Sequence, residues 1–260
     1  MRLTKPYMLI ASWNVNSLKS RLAHVIQWLK ASNPDVLFLQ ELKGLEFPAA
    51  VFEAIGYRTV HVAQKTYNGV ATISRHPIET VSTSLGGDST DSHARYLETT
   101  IKGLRLINIY LPNGNPVGTD KFGYKLVWMD RLKSRLVALM DQSVPAIVGG
   151  DFNVIPEDID CFSPKYWKND ALFQPEPRTR FRALNELGYV DAFRYFNQEP
   201  GQYTFWEYFR DMFGKNQGIR IDHFLVSSLL AERMTGCRID KGPRGLAKPS
   251  DHTPILLAIE

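Results

Sequence analysis

Pro145-Ala146-Ile147-Val148-Gly149-Gly150-Asp151-Phe152-Asn153 decides the reading of this chain. Ala146 to Val148 is a short apolar run bounded by a proline, the pattern of a buried strand. Gly149 and Gly150 then read as a tight turn, because glycine takes backbone conformations closed to other residues. Asp151 and Asn153 are left two residues apart at the strand exit, facing one side. A carboxylate supplies a hard oxygen ligand or a base, and a carboxamide supplies a fixed donor and acceptor without charge. The pairing suits a site that orients water against a phosphate. Alone, the stretch reads equally as an ordinary turn, since Gly-Asp is common there.

The same arrangement recurs along the chain. Met8-Leu9-Ile10-Ala11 runs to Trp13-Asn14, and Val36-Leu37-Phe38-Leu39 runs to Gln40-Glu41. Leu106-Ile107-Asn108-Ile109 leads into Tyr110 and then Leu111-Pro112-Asn113-Gly114. Each apolar segment delivers a polar residue where it stops, which is where open α/β sheets place ligand crevices. Asp222 instead opens the run Asp222-His223-Phe224-Leu225-Val226, and Ser250-Asp251-His252 precedes Pro254-Ile255-Leu256-Leu257. Strand starts and strand ends can share one rim only if the sheets contain antiparallel neighbours, so a mixed α/β architecture is expected.

Length and composition bound the possibilities. The 260 residues are 44% hydrophobic and 22% charged, ordinary for a globular chain with a substantial core. Apolar runs fall far short of the ~20 residues of a membrane span. The stretch Met1 to Pro6 carries no leader-like apolar run, and a cytoplasmic protein without membrane association is expected. Cys161 and Cys237 match no metal-ligand spacing and read as two ordinary thiols in a reducing compartment, with a disulfide between them as the alternative. A net charge of +4 is compatible with a polyanionic partner without identifying one. Arg131-Lys133-Arg135 and Arg178-Arg180-Arg182 read as solvated helix faces.

Neither linker nor repeat array divides the chain, so one domain over residues 1–260 is expected. A coarse internal echo is present. Strand 8–12, helix 21–31, strand 36–39 and Glu41 resemble strand 104–109, helix 124–141, strand 146–148 and Asp151. Leu22, Val25, Ile26 and Leu29 form a helical core stripe before Asn33-Pro34, and Leu126, Met129, Leu132, Leu136, Leu139 and Met140 form another. Two such halves facing each other would bring both acids to one cleft. Cys161 to Pro177, without a period, reads as an ordered surface loop, and Ser84 to Ser92 as an exposed one.

Six ordered motifs carry a family resemblance: Trp13-Asn14-Val15-Asn16, Leu39-Gln40-Glu41-Leu42-Lys43, Tyr110-Leu111-Pro112-Asn113-Gly114, Gly150-Asp151-Phe152-Asn153, Arg220-Ile221-Asp222 and Ser250-Asp251-His252-Thr253-Pro254. Over essentially its whole length the chain resembles the endonuclease/exonuclease/phosphatase superfamily, and within it the exonuclease III and apurinic/apyrimidinic endonuclease branch. Tyr203-Thr204-Phe205-Trp206 and Gly218-Ile219-Arg220-Ile221-Asp222 separate it from the lipid and inositol-phosphate branches. The resemblance implies a four-layered α/β sandwich, two mixed β-sheets packed face to face with helices outside.

It also implies a Mg²⁺-dependent phosphodiesterase that cuts duplex DNA 5′ to abasic sites and leaves a 3′-hydroxyl. Mn²⁺ is a possible substitute, 3′→5′ exonuclease and 3′-phosphatase action are further possibilities, and the working form is a monomer. Glu41 is then the principal metal ligand, with Asn14 and Asp251 assisting and Asp151, Asn153 and His252 nearby. Asp151 would deprotonate the attacking water, with Asn153 holding it in line. His252, oriented by Asp222, would donate to phosphate oxygens, as would Tyr110, with Asn113 adjoining. Phe205, Ile219 and Ile221 would form a niche for a base-less sugar, supported by Trp206, while Lys125, Arg95 and Lys248 would contact phosphates. Ile219 stands where some relatives carry Trp, and Leu42 where many bacterial members carry Thr. Two rivals are a superfamily enzyme acting on small phosphates or lipid head groups, and an inert nucleic-acid-binding module. The intact acidic set argues against the second, since a binder of a polyanion needs no acids facing it.

Overall fold

A computed structural model describes residues 8–260. The Met1 to Pro6 stretch, read above for a leader, lies outside the described residues. The chain runs first through β1 (Met8–Asn14), α1 (Leu18–Ser32), β2 (Val36–Gln40), α2 (Ala49–Glu53), β3 (Arg58–Val62), β4 (Val70–Ser74), β5 (Glu79–Ser82) and β6 (Tyr96–Ile101). It continues through β7 (Leu104–Tyr110), α3 (Asp120–Asp141), β8 (Ala146–Asp151), α4 (Pro164–Trp167), α5 (Pro175–Glu186), β9 (Tyr189–Asp191) and α6 (Ala192–Phe196). The last elements are β10 (Asp222–Ser227), α7 (Ser228–Ala231), β11 (Met234–Ile239) and β12 (Ile255–Ile259).

One sheet has the order β11-β12-β1-β2-β4-β3 and the other β5-β6-β7-β8-β10-β9. In each sheet the central pair alone is parallel, β1 with β2 and β7 with β8. All other neighbours are antiparallel. The two sheets therefore repeat one pairing scheme, and the internal echo of the sequence is the two parallel pairs with their crossover helices α1 and α3.

Three apolar clusters make the layers. Trp13, Leu37 and Leu39 pack outward on Val25, Trp28 and Leu29 of α1. Ile107, Ile109 and Val148 pack outward on Trp128, Leu132 and Leu136 of α3 and on Phe181 of α5. Between the sheets Met8, Ile10, Val36 and Phe38 meet Leu104, Leu106, Ile147, Phe224 and Val226. This is the expected four-layered sandwich. The central strands are buried on both faces, so alternation there is visible only in which layer each residue joins.

That alternation positions the site. The inward-facing series continue from apolar residues into polar ones: Met8 and Ile10 into Ser12 and Asn14, Val36 and Phe38 into Gln40, Leu104 and Leu106 into Asn108 and Tyr110. Ile147 is followed inward by Gly149 and Asp151, and β10 begins with Asp222 before Phe224 and Val226. One end of the inter-sheet layer is thus oil and the other is polar. At the change-over Gln40 Nε2 donates to Asn108 Oδ1 at 2.8 Å, and Asn108 Nδ2 donates across the sheets to the carbonyls of Ala71 and Leu39.

Several expectations are corrected. Gly149 and Gly150 belong to β8 itself and not to a turn. Their lack of a side chain answers close approach: a Cβ on Gly149 would lie 2.4 Å from the Phe224 ring, and one on Gly150 2.0 Å from the Ile109 carbonyl oxygen. Residues 161–177 are a surface loop only in part. They form α4 and begin α5, and Cys161, Trp167 and Leu172 are buried in a cluster with Ile155, Ile219 and Ile221. The missing signal is that one short helical turn cannot show a 3.6-residue period.

The arginine groups are bound rather than merely solvated. Arg131 pairs with Asp91, Arg135 with Glu98, Arg178 with Asp158, Arg180 with Asp130 and Arg182 with Glu157. Helix α1 starts earlier than residue 21 because Ser17 caps it, accepting from the Ser20 amide, and it stops where Asn33 turns left-handed at φ 51°. Helix α3 starts at Asp120, its polar first turn having hidden the apolar stripe. Residues 84–92 are exposed except Leu85, which is buried against α3, and Asp91, which is half-buried beside Arg131. Both cysteines are free. Among the described residues no helix is long and apolar enough to cross a membrane.

Gly150 has φ 142° as well as no room for a methyl group. Gly150→Ala should therefore lose about 3 kcal/mol or more of stability, read as the urea midpoint at constant slope. A midpoint near that of the unaltered chain would refute the close-approach account.

Candidate active site

The polar end of the inter-sheet layer gathers side chains from four strands and two loops. Asn14 ends β1, and its Nδ2 donates to Glu41 Oε1 at 2.8 Å and to Asp151 Oδ2 at 2.9 Å. Glu41 follows β2 at φ 56°, a left-handed conformation that turns its carboxylate toward the partner sheet. Asp151 ends β8 directly opposite Asp222 in the antiparallel register. His252 comes from the loop before β12 and lies between the two, Nδ1 at 2.8 Å from Asp222 Oδ2 and Nε2 at 3.8 Å from Asp151 Oδ2.

Backbone and hydroxyl groups fix these positions. Ser250 Oγ donates to the Asn14 carbonyl at 2.7 Å and accepts from the His252 amide. Thr204 Oγ1 accepts from the amides of Ile221 and Asp222. Asn153, at φ 47°, folds its own amide back onto Asp151 Oδ1 at 2.8 Å. Asn153 also donates to the Leu111 carbonyl and accepts from Asn113 Nδ2 at 3.2 Å, so the two loop amides lock together. Arg220, fully buried between Asp160 and Asp191, anchors the strand that delivers Asp222.

Electrostatics set the protonation states. Burial pushes the Asp151 carboxyl up to about 7, against the opposing pull of His252 and with Asp222 adding to the rise. Burial works against charge on His252, yet Asp222 and then Asp151 hold its proton on and raise it to about 10. Burial alone would raise Glu41, but the Lys43 ammonium at 2.7 Å from Oε2 and the Asn14 amide keep its carboxyl below the usual value. Burial and the charges of Glu41 and Asp151 push the Tyr110 phenol well up, so it stays a neutral donor. Arg95 stacks over the Tyr110 ring at 4.8 Å and donates to its carbonyl at 3.2 Å.

Most of the predicted residues converge. Glu41, Asp151 and His252 each offer a ligand atom, and these atoms lie within 4.8 Å of one another. The two hard carboxylate oxygens at that spacing fit a divalent cation, with the protonated His252 ring beside them. Asp251 stands apart: its Oδ1 accepts from Asn16 Nδ2 at 3.1 Å, which keeps it at the rim. Phe205 lies edge-on to His252 at 5.0 Å, while Ile219 and Ile221 are buried behind it. Trp206 is fully buried against Tyr203 and Phe213. Lys248 is exposed.

Lys125 must be reassigned. It is fully buried, and its ammonium donates to the carbonyls of Asn113, Asn153 and Ala171 at 3.0, 2.6 and 3.1 Å. All three donors are spent on backbone, leaving none for a phosphate. Burial lowers it to about 7, with Asp170 and Asp151 pulling the other way. Arg95 likewise orients Tyr110 rather than standing free. Sequence reasoning missed Asn16, Lys43, Thr204 and Ser250. A serine two residues before His252 was the readable hint, being placed to accept from its amide.

The sequence profile of the Endonuclease/Exonuclease/phosphatase family matches residues 11–252. The chain is 33% identical to exodeoxyribonuclease III of Haemophilus influenzae, over 95% of this chain and 98% of that one. Its fold is similar to that of a 3′ phosphatase, NExo, from Neisseria bound to a product DNA hairpin (TM-score 0.94, 37% identity, 97% of this chain and 99% of that one). It is similar also to an AP endonuclease from Archaeoglobus fulgidus (TM-score 0.93, 39% identity, 97% and 99% covered).

Because Asp151 binds its proton more tightly when folded, ionising it costs stability as pH rises through about 7, and that cost vanishes toward pH 4. In EDTA, Asp151→Asn should accordingly be more stable than the unaltered chain at pH 8, by about 2 kcal/mol once the lost acceptor is allowed for. The gain should shrink as pH falls toward 4. Urea midpoints at both pH values decide it, and a variant weaker at pH 8 would show that Asn14 and His252 already compensate the charge.

Proposed function

This chain belongs to the endonuclease/exonuclease/phosphatase family and is an enzyme of the exodeoxyribonuclease III type, and from that premise we propose that it cuts duplex DNA 5′ to abasic sites, leaving a 3′-hydroxyl. The same site serves 3′→5′ exonuclease and 3′-phosphatase action on strand ends. The observation that carries the reading is the meeting of Glu41, Asp151 and His252 at one point. Each comes from a different strand end or loop, and no packing demand brings two carboxylates together in a buried place.

Glu41 and Asp151 would hold the metal, with Asn14 beside them and Asp251 acting from the rim through Asn16. Mg²⁺ suits this hard-oxygen set and Mn²⁺ can substitute; when bound, the ion neutralises phosphate charge and favours the departing oxygen. Asp151, fixed by the Asn14 carboxamide and the Asn153 amide, would take the proton of the attacking water. His252, kept charged by Asp222, presents Nε2 to a non-bridging phosphate oxygen, and the neutral Tyr110 hydroxyl donates to another. The Asn113–Asn153 pair holds the facing loop rigid, so that Asp151 and its water keep one geometry.

Phe205, backed by Ile219, Ile221 and the buried Trp206, supplies an apolar wall beside His252. A sugar lacking its base fits such a wall, and a complete nucleotide is excluded by size. With Ile219 buried, Phe205 is the member of the three that meets solvent, so lesion choice rests mainly on its ring. The working form is a cytoplasmic monomer acting on duplex DNA, with phosphate contacts from exposed cations that weaken as salt rises.

Purified protein incubated with a duplex carrying one abasic analogue should cut it 5′ to the lesion with Mg²⁺ and not with EDTA. Asp151→Asn should slow single-turnover cleavage by about a thousandfold or more. Binding without cleavage, turnover of inositol or lipid phosphates alone, or near-normal cleavage by Asp151→Asn would overturn the reading.

A further inference from the structure

A groove of about 630 Å³ opens beside the active site, between the first turns of α1 and the segment that follows Glu41. Its size falls within the ~300–1,000 Å³ of small-ligand pockets. Its floor is apolar. Phe47 is fixed there by stacking on His61 and Phe52, with centroids 4.5 and 5.4 Å apart. Leu22 and Leu45 continue the floor, and Leu45 is left 63% exposed.

Three ammonium groups reach this groove from three separate parts of the chain: Lys19 on α1, Lys43 after Glu41 and Lys65 before β4. Glu46 is the one acid in the lining. Lys43 faces both ways, since its Nζ also lies 2.7 Å from Glu41 Oε2, so groove and catalytic carboxylates are contiguous. Among the described residues neither Lys19 nor Lys65 joins an ion pair. Two unpaired cations, beside a third that Glu41 holds, around an apolar floor ask for a ligand with a flat apolar body and a compact multiple negative charge.

We propose that the groove binds a nucleoside 5′-monophosphate, the product released by 3′→5′ exonuclease action. The inference rests on the nuclease reading above. In that reaction water adds to phosphorus, the bond from phosphorus to the strand's 3′-oxygen breaks, and that oxygen takes one of the water's protons while the other is released to solvent. The terminal nucleotide leaves carrying a phosphate dianion. Leu22, Leu45 and the open edge of Phe47 pack against the base, and Lys19 and Lys65 receive the dianion, which attracts them more strongly than a diester within a strand. The product thus waits a short step from the carboxylates, where its charge opposes entry of the next phosphate.

The test is a calorimetric titration of the full chain with dAMP in EDTA, paired with dAMP inhibition of abasic-site cleavage. One saturable site is expected, with deoxyadenosine and inorganic phosphate each binding more weakly than dAMP. The double variant Lys19→Ala/Lys65→Ala and the variant Leu45→Asp should each weaken dAMP by about tenfold, while cleavage of saturating abasic duplex stays within about twofold. Absence of a saturable site, unchanged dAMP affinity in both variants, or binding of a cleavage-resistant oligonucleotide but not of dAMP would overturn the proposal. The titration needs no catalysis, so loss of abasic cleavage in the unaltered chain sinks the nuclease reading alone. Intact cleavage without dAMP binding sinks only this inference.

Discussion

The carboxamide of Asn14 reaches from the end of one sheet to a carboxylate of its own sheet and to a carboxylate of the other. Every other feature of the site depends on that bridge. Glu41 and Asp151 are both acids drawn out of water, and two such groups side by side repel strongly in a poorly screened interior. A neutral donor between them, an ammonium behind Glu41 and an imidazolium beside Asp151 make the arrangement tolerable. The site is a balance of fixed dipoles and borrowed charges, and the fold supplies the geometry in which that balance holds.

Much of this was readable from residues alone, for a physical reason. Apolar runs that end in Asn14, Glu41, Tyr110 and Asp151 mark strands whose inward face changes character at one end, and the period of two carries that information in any buried strand. The mixed sheets followed from strand starts and strand ends having to share a rim. What could not be read is how crowded the interior is. Gly149 and Gly150 looked like a turn because glycine has two reasons to exist, conformational freedom and absence of bulk, and a sequence does not say which applies. The structure assigns Gly149 to bulk, under Phe224, and gives Gly150 both reasons, the Ile109 carbonyl and a φ of 142°.

Lys125 shows the same limit on the polar side. A lysine on a helix reads as a surface cation, and its neighbours in sequence gave no reason to bury it. The loops carrying Asn113, Asn153 and Ala171 converge on it only in three dimensions, and their unpaired carbonyls require a donor. Its role is to weld the loop of Asn113 to the loop of Asn153, and so to Asp151. Arg220 does similar work beneath Asp222, bound on both sides by Asp160 and Asp191. Charged residues near a reactive centre are therefore divided between those that meet a substrate and those that hold the frame, and burial is the property that separates them.

The repeated pairing scheme of the two sheets has a mechanical side. Glu41 and Asn14 ride on one sheet while Asp151, Asp222 and Tyr110 ride on the other, so the proposed reactive centre is also the clasp along one margin of the sandwich. Peeling the sheets apart, as in a book opening from its fore-edge, must break the centre first. Whatever engages both margins at once will tighten the whole binding, and the same seam makes catalysis and resistance to prying a single inherited trait.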